Sequence, residues 1–143
     1  PGLDADDQGN LRKMSKSYDN CIYINESPDE TAKKIIGAYT TPTKIKKSDP
    51  GKPEGCAVCQ YLKLYSPEWA TQWQEDKDGQ RGCVQNKKEL IECINEFLRP
   101  MRARRAELDD ATVGSILKKG AEKATIRAEA TMNEVREAMR MAR

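Results

Sequence analysis

The chain has 143 residues, 37% hydrophobic and 34% charged, with a net charge of +2. That is enough apolar material for a modest helical core, and too little charge for a uniformly basic nucleic-acid coat. There is no histidine, which removes His-based catalysis and His-ligated metals, and no apolar run spans a membrane or reads as a signal peptide. Five cysteines without secretory context read as reduced thiols, so a cytoplasmic setting is expected. The chain opens on Pro1 rather than Met and reads as a piece of something longer.

Residues 1–20 have no helical period and read as loop, acidic at Asp4, Asp6 and Asp7 and basic afterwards. Within them Lys13-Met14-Ser15-Lys16-Ser17 places two ammonium groups and two hydroxyls in five residues, after Gly9-Asn10. Ammoniums neutralise phosphate charge, and hydroxyls and backbone N–H groups donate hydrogen bonds to it, so the run suits a mobile loop closing on polyphosphate. Composition alone describes only a basic surface loop. Cys21-Ile22-Tyr23-Ile24 is β-leaning and reads as one short strand whose sheet lies elsewhere.

Ser27-Pro28-Asp29-Glu30 starts a helix with a capping box and a proline at its first position. That helix is expected to reach Tyr39 and stop near Thr41-Pro42. Lys44 to Glu54, with Asp49-Pro50-Gly51 and Pro53, reads as a long ordered loop. A helix from Gly55 carries Cys56, Cys59 and Leu62 to Tyr65. A shorter one after Ser66-Pro67-Glu68 carries Trp69 and Trp73, one turn apart and expected in the core, although exposed rings there could stack RNA bases. Asp76 to Gly82 reads as loop. The long helix from Cys83 or Val84 has an apolar stripe of Leu90, Ile94, Phe97, Leu98 and Met101, with Pro100 expected to kink or split it.

Asp109 or Asp110 caps the last helix, striped by Val113, Ile116, Leu117, Ala121, Ala124, Ala128, Met132, Val135 and Met139. The fold expected is mainly α: an antiparallel helical bundle over 27–143 whose stripes bury one another, preceded by the loop and short strand of 1–26. Arg99, Arg102 and Arg105 share one side of a helix and are candidate RNA-backbone contacts. Lys118, Lys119, Lys123 and Arg127 could serve likewise, or pair with Glu122, Glu129 and Glu134.

Lys13 to Ser17 spells KMSKS and resembles the signature loop of class I aminoacyl-tRNA synthetases. Further segments, in order, are similar to bacterial-type tryptophanyl-tRNA synthetases: Gly2-Leu3-Asp4; Ser48-Asp49-Pro50-Gly51 with Pro53-Glu54-Gly55-Cys56; Gly82-Cys83 with Lys87-Lys88; Leu98-Arg99-Pro100-Met101-Arg102; and Ala130 to Met139. This covers nearly the whole chain. The resemblance implies the C-terminal part of such an enzyme, with 1–26 as the tail of a Rossmann-like nucleotide-binding domain and 27–143 as a helical anticodon-binding domain. It implies ATP with Mg²⁺, tryptophan and tRNA(Trp) as partners, a homodimer in the full enzyme, and no membrane.

By that carry-over Lys13 and Lys16 contact the ATP phosphates during catalysis, with Ser15 and Ser17 assisting. The class also carries a His-bearing signature upstream. With no His, this polypeptide is expected to lack half of the ATP site and the tryptophan pocket, and not to aminoacylate alone.

Cys56, Cys59, Cys83 and Cys93 are numerous enough for zinc or an iron–sulfur cluster. Some tryptophanyl enzymes carry such a cluster, and Cys56 and Cys83 fall where two ligands would be. Asn86 stands where a Cys should follow Cys83, and no Cys precedes Cys83 at the family interval, so small buried residues are the expected reading and no metal is assigned. The rival to the enzyme reading is a stand-alone RNA-binding or scaffolding bundle with the Lys/Ser loop incidental. Mobility of residues 1–26 favours the enzyme piece; tight packing of them on the helices favours the rival.

Overall fold

The computed structural model describes residues 1–141. Its five α-helices are α1 (Pro28–Ile36), α2 (Ala57–Tyr65), α3 (Trp69–Lys77), α4 (Cys83–Ala106) and α5 (Asp110–Ala138), with single 3₁₀ turns at Lys16–Tyr18 and Pro53–Gly55. The chain divides into two compact units, Pro1–Arg102 and Ala103–Arg143. It is mainly α, as composition and periodicity require.

No strand forms over Cys21 to Ile24 among the described residues; the one backbone bridge joins Ala5 to Leu11. Without a partner strand, the segment directs its polar groups to its surroundings. The Asn20 carbonyl accepts from Leu3 N at 3.0 Å, the Cys21 carbonyl from Lys34 Nζ at 2.9 Å, and the Tyr23 carbonyl from Glu26 N at 3.3 Å.

The start of α1 follows its sequence. Ser27 Oγ accepts from Glu30 N at 3.2 Å, and Glu30 Oε2 accepts from Ser27 N at 2.8 Å, closing the capping box. Its end does not. The helix stops at Ile36, short of Tyr39, because Lys87 reaches in from α4 and takes the terminal acceptors. Its Nζ donates to the carbonyls of Ile36 at 2.8 Å and Ala38 at 2.6 Å and to Thr40 Oγ1 at 3.1 Å. A cation on helix C-terminal carbonyls satisfies them and complements the helix dipole.

The core of the first unit joins Leu3, Ile35, Ala38, Val58, Tyr61, Leu62, Leu90, Ile94 and Leu98. Leu3 belongs to the stretch expected to be mobile. That stretch is instead packed: Met14 and Ile22 lie against the same core, Tyr39 N donates to Leu3 O at 2.7 Å, and the Tyr61 hydroxyl donates to the Pro1 carbonyl. Burial first, and then the neighbouring Tyr65 and Cys21, push the Tyr61 hydroxyl up to about 12.

α4 runs unbroken through Pro100, so the expected split does not occur. α3 extends to Lys77, into the stretch read as loop, and the residues it buries are Gln72 and Asp76 rather than its tryptophans. Asp76 is the polar centre of this unit. Its Oδ1 accepts from Lys44 Nζ at 3.0 Å and from Asn86 Nδ2 at 2.9 Å, and its carbonyl accepts from Lys44 Nζ at 3.0 Å and Gly51 N at 2.8 Å. The Lys44 and Asp76 side chains are each 4% exposed. Gly51 is required here: a Cβ at that position would overlap the Asp76 carboxylate. Arg81 extends the network to Asn86 Oδ1 at 2.6 Å and Glu75 at 2.7 Å.

The second unit is built differently. Asp109 caps α5, its carboxylate accepting from Thr112 N at 2.7 Å, but no residue of α5 is buried. The stripe from Val113 to Met139 is present and unburied, which corrects the expectation that it packs into a bundle. The four basic residues named on α5 form no ion pair among the described residues. Lys118 precedes Glu122 in chain order, the less favourable orientation for a helical pair.

Candidate functional site

The signature stretch sits at the end of a hairpin-like turn. Asp6 Oδ1 accepts from the backbone N–H groups of Gln8 at 2.9 Å and Asn10 at 2.8 Å, and Gly9 turns the chain with a left-handed φ of 82°. Those bonds hold the Asp6 carboxyl below the usual carboxylate range, with Asn10 the main donor. The returning arm pairs with the outgoing one through Gly2 N to Arg12 O at 2.6 Å and Arg12 N to Asp4 O at 3.3 Å.

Asn20 fixes the base of the loop. It is 3% exposed. Its Oδ1 accepts from Ser15 N at 2.7 Å, and its Nδ2 donates to Lys13 O at 3.1 Å and Asp4 Oδ1 at 2.5 Å. A buried amide with each of these groups satisfied holds backbone position strongly. Met14 is half-buried and, with Ile22, Tyr65, Phe97 and Met101, lines an apolar cavity of about 300 Å³. Lys13 and Lys16 are exposed, and neither has an acidic partner among the described residues. Ser15 and Ser17 share a hydroxyl–hydroxyl hydrogen bond of 2.8 Å at the start of the 3₁₀ turn. The loop therefore offers two ammoniums and two hydroxyls to solvent from a fixed base, a set of donors suited to phosphate oxygens.

The three arginines have different surroundings. Arg99 is held by Glu96 on the surface of α4, at 2.6 and 2.9 Å. Arg102 is half-buried and donates to Asn95 Oδ1 at 2.7 Å and Thr31 Oγ1 at 2.8 Å, so it ties α4 to α1. Arg105 is exposed and lies in the second unit.

Nor do the tryptophans belong to the core. Trp69 is 37% exposed and Trp73 is half-buried. Their rings meet edge-on at 6.4 Å, with Lys63 Nζ 5.3 and 5.7 Å from the two centroids. A cation over the rings occupies faces that would otherwise be open to stacking.

The cysteine quartet also separates. Cys93 lies ten residues along α4 from Cys83, about 15 Å at a helical rise. Near Cys56, Cys59 and Cys83 the remaining positions hold Asn86 and the buried Lys44–Asp76 pair. Among the described residues no group of three or more His, Cys, Asp or Glu side chains is arranged to hold a metal ion. A thiolate cluster does not fit this donor set, which brings an amide and two ammoniums where ligands are needed. Asp76 and Asn86, structural hubs here, carry no sequence signal for that role, and Lys87 enters only through the Lys87-Lys88 pair of the family resemblance.

The family model described as "tRNA synthetases class I (W and Y)" matches residues 3–99, from the first hairpin arm through most of α4. The tryptophan–tRNA ligase of Aquifex aeolicus is 38% identical, covering 99% of this chain and 35% of the relative. That of Streptococcus pneumoniae is 40% identical, covering 97% and 41%. In three dimensions the chain is similar to a tryptophanyl-tRNA synthetase of Campylobacter jejuni complexed with ADP and tryptophan, with a TM-score of 0.77 and 27% identity over 99% of this chain and 44% of that one. The chain thus spans well under half the length of the relatives it matches. With a family model matched over more than half of its residues, the chain belongs to the class I tRNA synthetases of the tryptophanyl and tyrosyl type.

Proposed function

We propose that this chain is the C-terminal part of a tryptophan–tRNA ligase, carrying its phosphate-closing loop and its anticodon-binding helices. Residues 1–26 end the nucleotide-binding domain and 27–143 form the tRNA-binding one. The observation that carries the reading is the pair Lys13 and Lys16, exposed and without acidic partners among the described residues, on a loop whose base is fixed by Asn20.

In the parent enzyme the tryptophan carboxylate attacks the α-phosphorus of ATP, supplied with Mg²⁺, and pyrophosphate leaves. Negative charge grows on the bridging and terminal oxygens of the leaving group. Lys13 and Lys16 meet that charge, while Ser15, Ser17 and the backbone N–H groups of Lys16 and Ser17 donate hydrogen bonds. A preorganised donor of this kind is worth about 3–4 kcal/mol in the transition state. The second step moves the tryptophanyl group to tRNA(Trp), which the helices hold by its anticodon arm. Arg99, Arg102 and Arg105 supply phosphate contacts. The parent works as a homodimer in the cytoplasm.

Removing both ammoniums from the parent, as Lys13→Ala with Lys16→Ala, lowers tryptophan-dependent pyrophosphate exchange by at least about 100-fold and leaves tryptophan affinity unchanged. An unchanged exchange rate would refute the reading. The 143-residue chain alone, given ATP, tryptophan and tRNA, produces no charged tRNA.

A second reading is favoured by one observation. Residues 1–26 pack on the helices through Leu3, Met14 and Ile22, which suits a self-standing RNA-binding bundle. Binding of this chain to tRNA(Trp) and to another tRNA across a salt series separates the two. Selective binding supports the ligase part, and a salt-steep response without selectivity supports the rival.

A further inference from the structure

Residues 118–127 of α5 hold four cations, Lys118, Lys119, Lys123 and Arg127, against one acid, Glu122. That local excess is larger than the net +2 of the whole chain, so positive charge is concentrated here and the remainder is slightly acidic. All five side chains are exposed. Earlier arginines are neutralised where they stand, Arg99 by Glu96 and Arg104 by Glu107, each at 2.6 Å. None of the four cations on α5 has an acidic partner among the described residues, although Glu122 lies one turn from both Lys118 and Lys119.

Three of the cations form a line. Lys119, Lys123 and Arg127 follow at steps of four residues, so each stands one turn beyond the last on the same side, and the row runs about 12 Å. Lys119 and Lys123 each come two residues after a member of the apolar stripe, Leu117 and Ala121. That spacing turns the row about 200° away from the stripe. Like charges four residues apart destabilise a helix. Nothing in α5 offsets the repulsion: no acid closes on the row, and no residue of the helix is buried. A strand of phosphates would offset it, because it brings negative charge at regular intervals along one line. A lipid surface fits less well. Helices that lie in membranes set aromatic or large apolar anchors beside their cations, whereas α5 has no aromatic residue and the middle of its stripe is Ala121, Ala124 and Ala128.

We propose that Lys119, Lys123 and Arg127 form a phosphate track for one strand of RNA, with Lys118 at its edge. The assignment rests on the ligase reading only for the RNA being a tRNA. The contact is with the backbone, so it adds affinity and orientation and reads no base.

The test measures binding of the 143-residue chain to labelled tRNA(Trp) and to a second tRNA by fluorescence anisotropy, from about 50 to about 200 mM KCl. Lys119→Gln with Lys123→Gln and Arg127→Gln is expected to weaken both RNAs by the same factor, at least about tenfold at the lower salt. The slope of log affinity against log salt should fall by about two. Lys33→Gln with Lys52→Gln and Lys88→Gln removes the same charge from scattered exposed positions of the other unit and should leave the slope unchanged. Circular dichroism should show full helix in the row variant and no earlier melting, since a repulsion has been removed. Five results overturn the proposal: no RNA binding by the wild-type chain, an unchanged slope in the row variant, an equal loss in the scattered variant, a loss confined to one tRNA, or binding to phosphatidylserine vesicles that needs the row while RNA binding does not. The ligase reading is judged separately, by the wild-type chain's preference between the two tRNAs, so either can fail while the other stands.

Discussion

The two units of this chain carry apolar stripes of the same kind and do opposite things with them. In Pro1–Arg102 the stripe of α4 is buried at Leu90, Ile94 and Leu98, against residues of α1, α2 and the first hairpin arm. In Ala103–Arg143 the stripe of α5 is as regular and not one residue is buried. Periodicity declares that a helix has a face to bury; it does not supply the surface that buries it. What sets the first unit apart is a set of buried polar contacts, from Lys44, Asp76, Asn86 and Lys87, that fix its loops to its helices.

The largest break in that contrast comes from its polar centre. Asp76→Ala leaves the Lys44 ammonium buried and unpaired, and is expected to cost about 3–5 kcal/mol in urea unfolding. Next comes the apolar core. Leu90→Ala, at a fully buried site, should cost about 2–5 kcal/mol, whereas Ile126→Ala on the exposed stripe of α5 should shift stability by no more than about 0.5 kcal/mol.

A smaller effect than either of the buried-site truncations concerns the cap of α1. Ser27→Ala should cost about 1 kcal/mol, and its partner should titrate. The Ser27 backbone and side chain hold the Glu30 carboxyl below its ordinary 4.5. A carboxyl depressed by folding stabilises fully above its unfolded value and loses that contribution as the pH falls through the folded value. The stability gap between wild type and Glu30→Gln should therefore close on acidification below about pH 4.5 and stay constant above it. A gap that widens in acid would contradict the capping box.

Those comparisons also mark what could be read in advance. The start of α1, the stripe of α4 and the Asp109 cap are local patterns, in which three or four neighbouring residues settle the outcome, and they are legible. So is the KMSKS run. The buried face of α3 is not, because Trp69 and Trp73 advertise one side while Gln72 and Asp76 occupy the inner one. Burying Asp76 depends on Lys44, 32 residues earlier, and Asn86, ten later, and no window of sequence contains both. The glycine of Asp49-Pro50-Gly51 looks like turn chemistry and turns out to be clearance for that carboxylate. The strand at Cys21 to Ile24 fails for a related reason: β propensity is a preference for a partnered, pleated surface, and none is there. Of the site, the loop chemistry was visible; its anchor, Asn20, was only a neighbour in the motif.

One contact bears on how the first unit comes into being. The ammonium that finishes α1 arrives from 51 residues downstream of the Ile36 carbonyl it satisfies. A nascent chain that has synthesised only as far as α3 has this helix begun at its N-terminus and open at its other end. Its last turn settles when α4 docks, so substitutions at Lys87 should accelerate unfolding more than they retard folding.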